Sequence, residues 1–340
     1  MNNRFTLLTL LAIAITFQFG CEQPTDLNAS DANDAILKED TAIESRSFEL
    51  RYGATIKDVP DGATVRVWFP IAESNGQQTV TLAATQTPAV MQTNRDKVYG
   101  NGIGYFQVDD ASVSKLDFEL TYDVKRLEAQ VDSAAAELTE AEKQRFLSAN
   151  SLVPLTGKPQ ELLGETEIPA DPAMAGEAIY EFVERHMTYD KSQPGYGNGD
   201  AVWACDSKTG NCTDFHSLFI SMARSQSIPA RFEIGFPLPT DKTAGKIGGY
   251  HCWAWFHIEG KGWSPVDISE ADKHPEMKDY YFGKLTEDRV SFSTGRDIVL
   301  VPESAGEPLN YFVYPYVEVD GKPWPKDKIA LDFGFSDQAK

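Results

Sequence analysis

Tyr250-His251-Cys252-Trp253-Ala254-Trp255-Phe256-His257-Ile258, followed after Glu259-Gly260-Lys261 by Gly262-Trp263-Ser264-Pro265-Val266-Asp267, reads as two strands joined by a short turn. Side chains alternate along a strand. Cys252, Ala254, Phe256 and Ile258 therefore share one face, and His251, Trp253, Trp255 and His257 the other. On the return strand Val266 and Ile268 match the apolar face, while Trp263, Pro265 and Asp267 match its opposite. Pairing Ile258 with Gly262 sets Ala254 opposite Val266 and Trp253 opposite Asp267. His251 and Asp267 then become diagonal neighbours within side-chain reach. A slip of one residue throws Asp267 to the wrong side. The apolar pattern and a histidine–carboxylate pair thus demand the same register.

Upstream, Gly210-Asn211-Cys212-Thr213-Asp214-Phe215-His216-Ser217-Leu218-Phe219 reads as a turn feeding a helix from about Cys212 to Ser225. A thiol at a helix start faces unpaired N–H groups and the positive end of the helix dipole, which favour the thiolate. The same helix start makes the Cys212 backbone N–H an oxyanion donor, with the Trp203 indole or Asn211 as candidates for a second. Tyr189, Tyr250 and Trp253 are candidates to line a substrate groove. His216, one turn after Cys212, reads as a packing residue, and His257 as a surface residue near the turn. A zinc centre from Cys205, Cys212, His216 and His251 lacks the usual ligand spacing, and no acidic loop has calcium-ligand spacing. Neither a metal nor another cofactor is expected.

The blocks Gly210 to Asp214, Ala223-Arg224, Ile228-Pro229-Ala230-Arg231, His251-Cys252-Trp253 and Gly262 to Asp267 together resemble bacterial proteins of the transglutaminase-like superfamily, which have papain-type folds. The likeness covers roughly Tyr180 to Ile268, and Gly295-Arg296-Asp297 and Tyr311 to Pro315 resemble the C-terminal parts of such proteins. Ile268 stands where many members carry proline. The resemblance implies Cys212 as nucleophile, His251 as base and Asp267 as its orienter. It implies an enzyme, either a hydrolase or an acyltransferase, performing acyl transfer or amide hydrolysis on a peptide or protein through a thioester. The superfamily includes members without activity, so a non-catalytic module binding an envelope peptide or polymer is the rival expectation.

Outward from this core, residues 46–130 alternate like strands, with Asp61-Gly62 and Asn101-Gly102 as turn signals. They predict an antiparallel β-sandwich. Residues 131–170 predict a helical connector with a Thr139-x-x-Glu142 capping box. Residues 171–325 predict the catalytic domain, whose first helix has Asp171 as N-cap and Pro172 at its first position. The loop from Gln193 to Asp200 is glycine-rich but lacks phosphate-binding spacing, and reads as the wall or lid of a cleft. Tyr311 to Val319 alternates and is expected to finish the catalytic sheet, leaving 326–340 as a tail. The fold class is α+β: a sandwich followed by a papain-like core of helices on an antiparallel sheet.

The 340 residues carry 31 basic and 51 acidic side chains, a net charge of −20, which disfavours nucleic acid as a partner. Residues 1–20 have a basic start and an apolar run too short to span a bilayer, as in a cleaved export signal. Gly20-Cys21 resembles the end of a lipoprotein signal, so Cys21 is the expected lipidation site and 21–45 a flexible tether. The protein is expected in the cell envelope, with a soluble periplasmic or secreted form as the alternative. Export permits disulfides. Cys205 and Cys252 therefore read either as a pair that leaves Cys212 free or as buried thiols.

Overall fold

The computed structural model describes residues 43–164 and 166–338. The signal segment, Cys21 and nearly all of the tether lie outside them. Six strands come first: β1 (Ser45–Lys57), β2 (Ala63–Pro70), β3 (Gln78–Gln86), β4 (Gln92–Arg95), β5 (Gly102–Ala111) and β6 (Lys115–Leu127). Helices α1 (Glu140–Leu147), α2 (Lys158–Leu163) and α3 (Pro172–His186) follow. Then come β7 (Thr188–Tyr189), α4 (Ala201–Ser207), β8 (Thr209–Gly210) and α5 (Cys212–Ser225). The remainder is β9 (Ala230–Pro237), β10 (Ala244–Lys246), β11 (His251–Ile258), β12 (Gly262–Val266), α6 (Ile268–Lys273), β13 (Arg289–Thr294), β14 (Tyr316–Val319), β15 (Lys322–Pro323) and β16 (Ile329–Asp337).

Two five-stranded antiparallel sheets, β10-β16-β1-β6-β3 and β15-β14-β2-β5-β4, face each other. Alternation builds the layer between them: Phe48, Leu50, Tyr52, Ala54 and Ile56 of β1 turn inward and are buried. Across the gap Phe69 stacks on Phe118 at 4.8 Å between ring centroids, and Phe106 meets Phe118 edge-on at 5.7 Å. Burying each such ring removes on the order of 2–3 kcal/mol worth of apolar surface from water.

This sandwich is not an N-terminal module alone. The stretch 326–340, expected as a tail, contains β16, which pairs along β1 from Phe48↔Asp337 to Ile56↔Ile329. Tyr311 to Val319 does not finish the catalytic sheet either: only Tyr316–Val319 is a strand, and it pairs with β2. Both corrections have one cause. β1 and β2 each present an open edge that the returning C-terminal strands cover, and an uncovered edge leaves a row of unpaired backbone groups. The expected division at 130 and 171 is likewise crossed, because Tyr52 stacks on Phe292 of β13 at 5.3 Å and meets Phe236 of β9 at 6.1 Å.

The third sheet, β12-β11-β9-β13, carries the site. Its apolar face, with Cys252, Ala254 and Phe256, receives α5, whose residues from Cys212 to Arg224 are all buried. Helices α2, α3 and α4 wrap α5 from outside. Gly176 lets α3 approach closely, since a Cβ there would stand 2.4 Å from the Phe256 ring.

Candidate active site

The start of α5 is held by a capping box. Asn211 Oδ1 accepts from Thr213 N at 2.8 Å, and Asp214 Oδ2 accepts from Asn211 N at 2.9 Å. Asp214 is fully buried and does more, taking Gly197 N at 2.7 Å and Gly199 N at 2.9 Å. The glycine loop is gripped from its other side by Arg296, which donates to Asn198 O at 3.0 Å and Gly199 O at 2.9 Å. Gly199 has φ +61°, and a Cβ there would stand 2.6 Å from Ser217 Oγ, so no other residue fits. The loop is a clamped wall beside Cys212, the first residue of α5.

The hairpin has the register that alternation requires, with Ala254↔Val266 and Ile258↔Gly262. Asp267, just past β12, N-caps α6 by accepting from Glu270 N at 3.2 Å. His251 Nε2 stands 2.7 Å from Asp267 Oδ2, which leaves the other ring nitrogen for the Cys212 thiol. All three residues are buried.

Burial opposes ionisation of Cys212. Hydrogen bonds from Cys252 and His251, with the imidazole charge, nevertheless hold its thiol well below the ordinary range. Burial likewise works against a proton on His251, but the Asp267 carboxylate and the Cys212 sulfur outweigh it and push its pKa up to about 10. Asp267 stays well below the usual carboxylate range despite its burial, because His251 and Arg289 both favour its charge. Together these shifts favour charge on all three buried groups, negative on Cys212 and Asp267 and positive on His251.

This geometry sits within a recognised sequence family. The transglutaminase-like superfamily model matches residues 161–268, which contain Cys212, His251 and Asp267. An uncharacterized protein of Haemophilus influenzae (strain ATCC 51907 / DSM 11121 / KW20 / Rd) is 30% identical over 257 residues, spanning 63% of this chain and 69% of its own.

Residues 161–268 carry a transglutaminase-like domain.

Its fold is similar to that of a crystal structure from Cytophaga hutchinsonii, provisionally named a cysteine protease. The TM-score is 0.52 at 16% identity, covering 87% of this chain and 100% of that one. Red sea bream transglutaminase aligns at a TM-score of 0.29 and 12% identity over 64% of this chain and 48% of that one, too loosely to argue from. Around this transglutaminase-like domain the other site residues expected from the sequence take varied places. Tyr250 lies at the start of α5 beside Cys212, its hydroxyl 3.1 Å from Asn211 Nδ2 and 2.9 Å from Thr213 Oγ1. The phenols of Tyr189 and Tyr250 are raised first by burial and then by the charge of Cys212. Asn211 is committed as a cap by its Oδ1, and Trp203 lays its indole against Gly195 of the glycine loop.

Trp253 is not a groove residue. It is fully buried in a second apolar cluster with Ala129, Leu138, Phe146, Trp255, Trp263 and Leu285, because residues 128–147 cover that face of the sheet. His257 is not at the surface for the same reason, its Nε2 meeting Ala135 O at 2.8 Å. Cys205, Cys212 and Cys252 are all free thiols, which decides between the two readings of Cys205 and Cys252. His216 joins helix to hairpin: its Nε2 accepts from Ile268 N at 3.0 Å, leaving Nδ1 facing Cys252 Sγ at 3.7 Å.

Sequence reasoning passed over Arg289 and the latch role of Asp214. The Asn211-x-x-Asp214 spacing signals the cap but not the loop contacts, and nothing local to Arg289 signals its partner. His251, Asp267 and Glu270 bring donor atoms within 4.8 Å of one another. Arg289 already occupies Asp267 Oδ2 and Lys273 sits on Glu270, so the group reads as a hydrogen-bonded acid–base cluster instead of a metal centre.

Proposed function

We propose that the protein is a cysteine-dependent acyltransferase or amide hydrolase acting on a peptide or protein through Cys212, His251 and Asp267. The carrying observation is the buried Cys212 thiol at a helix start, its charge favoured by an imidazole that is itself 2.7 Å from a buried carboxylate. The thiolate attacks an amide carbonyl, and the developing oxyanion takes the Cys212 N–H. One such donor is worth about 3–4 kcal/mol at the transition state. His251 gives its proton to the departing nitrogen as the C–N bond breaks, leaving a thioester on Cys212. It then takes a proton from the incoming amine or water, which displaces the sulfur and regenerates the thiolate. Asp267 keeps the imidazole oriented and stabilises its cation throughout.

Export and a lipid anchor on Cys21 belong to the same proposal, supported by the basic start, short apolar run and Gly20-Cys21 ending of the leader. Fatty-acid labelling of the full chain that survives Cys21→Ser would refute the anchor.

The enzymatic reading is tested by incubating the full chain with glutamine-bearing and general peptide libraries, with and without an added amine. Mass spectrometry then separates amine addition from water addition. Product formation that disappears in Cys212→Ala is the expected result. Peptide binding without turnover, unchanged in that variant, would leave the binding-module reading instead.

A further inference from the structure

Arg289 opens β13 and is 3% exposed. Its Nη1 donates to Asp267 Oδ2 at 2.8 Å, the same oxygen that meets His251 Nε2 at 2.7 Å. The other carboxylate oxygen is taken by Ser269 Oγ at 3.1 Å and Glu270 N at 3.2 Å. Arg289 is itself fixed by Thr286 Oγ1 at 3.3 Å and by the Trp253 ring, whose centroid lies 5.1 Å from the guanidinium carbon. Trp253 in turn packs against His251, at 6.1 Å between ring centroids.

Resting on the Cys212–His251–Asp267 reading, we propose that Arg289 is a positioning residue that holds the Asp267 carboxylate edge-on to the imidazole. By sharing Oδ2 with it, Arg289 limits how strongly that carboxylate stabilises the imidazolium.

The physical basis is a competition. A buried carboxylate facing one cation gives it the whole of its field; facing two, it divides that field while the cations repel each other. The other charged or titratable groups around the imidazole are accounted for. From α5 come Cys212 and His216, the latter 3.7 Å from Asp267 Oδ1 and disfavoured as a cation by its burial. From α6 comes Glu270, 3.8 Å from His251 Nε2, itself paired with Lys273 and flanked by His274. Tyr281 lies near Arg289 and Asp267, Asp288 is tied to Arg46 at 2.6 Å, and Arg126 approaches Arg289 from β6. Of these, Arg289 alone is a permanent cation in direct contact with the oxygen that the imidazole uses.

The test is alkylation of Cys212 in the full chain by iodoacetate, an anion drawn by the imidazolium, so that its rate falls as His251 loses its proton. Peptide mass spectrometry reads Cys212 apart from Cys205 and Cys252. Arg289→Gln and Arg289→Met remove the charge, and Met keeps the stem against Trp253. In either variant the alkaline fall moves up by about half a pH unit or more, since Asp267 then serves His251 alone. Arg289→Lys, which keeps a cation there, restores most of the wild-type profile. A fall that coincides with wild type, or moves down, overturns the proposal. So does failure of both neutral variants to fold, which would make the residue purely structural. Should wild-type Cys212 itself show no activated alkylation, the catalytic reading fails first, and the two failures are thereby told apart.

Discussion

The sandwich and the four-stranded sheet use the same alternating strands, yet they bury different matter. Between the two sandwich sheets lie rings and aliphatic chains such as Tyr52, Phe69, Phe106 and Phe118. The four-stranded sheet buries both faces: the one under α5 is apolar, and the other mixes charged groups with large rings. Its other face holds His251, Arg231, Glu233 and Arg289 among Trp253, Trp255 and Trp263, all but Arg231 nearly inaccessible. Buried charge costs free energy unless it is paired. Here pairing runs through Asp267, which serves His251 and Arg289 at once. One region therefore supplies stability, and the other holds poised charge within the frame it provides.

That contrast can be broken from either side. The largest effect is expected at the sulfur. Cys212→Ala should lower turnover by about 10⁴-fold or more while changing stability by no more than about 1 kcal/mol, measured as product rate and urea unfolding of one preparation. Asp267→Asn should join the two regions. A loss of about 10⁴-fold in turnover is expected from the misoriented imidazole. A loss of about 3–5 kcal/mol in stability is expected as well, because Arg289 is left buried without its carboxylate. In the sandwich, Phe118→Ala should cost about 3–5 kcal/mol in unfolding free energy and leave the Cys212 alkylation rate unchanged. If that rate collapsed in a folded variant, the separation between frame and site would be wrong.

Two smaller effects sharpen the comparison. His251 has its pKa raised from 6.5 to about 10, so its contribution to stability is fully present below about 6.5 and is lost as pH rises through the folded value. In Cys212→Ala, where Asp267 alone holds the proton, unfolding free energy should decline above about pH 6.5 and level off before about pH 10. The double variant with His251→Ala should lack that slope. Smallest is Thr139→Ala at the capping box of α1, expected to cost about 1 kcal/mol without altering alkylation.

Much of the site was legible because its signals are local. Strict alternation across Tyr250 to Asp267 admits one register, and the Asn211-Cys212 turn announces a helix start. What escaped depends on contacts between distant stretches. Alternation assigns Trp253 and His257 to a face, but not the segment 128–147 that covers it. The pairing of β16 with β1 joins residues some 280 apart, with no local trace beyond the alternation of each strand. Arg289 lies 22 residues from the carboxylate it holds, beyond any helical or hairpin spacing.

The central claim is that Cys212 is a thiolate because His251 is an imidazolium beside Asp267. Its most direct measurement is the rate of Cys212 alkylation by neutral iodoacetamide against pH, in wild type and in His251→Ala. The account predicts that wild-type Cys212 reacts well below pH 7, far ahead of Cys205 and Cys252. It also predicts that His251→Ala moves this reactivity up to the range of a free thiol near pH 8.5. A wild-type Cys212 that reacts only as the pH approaches that range, with a profile indifferent to His251→Ala, would contradict it.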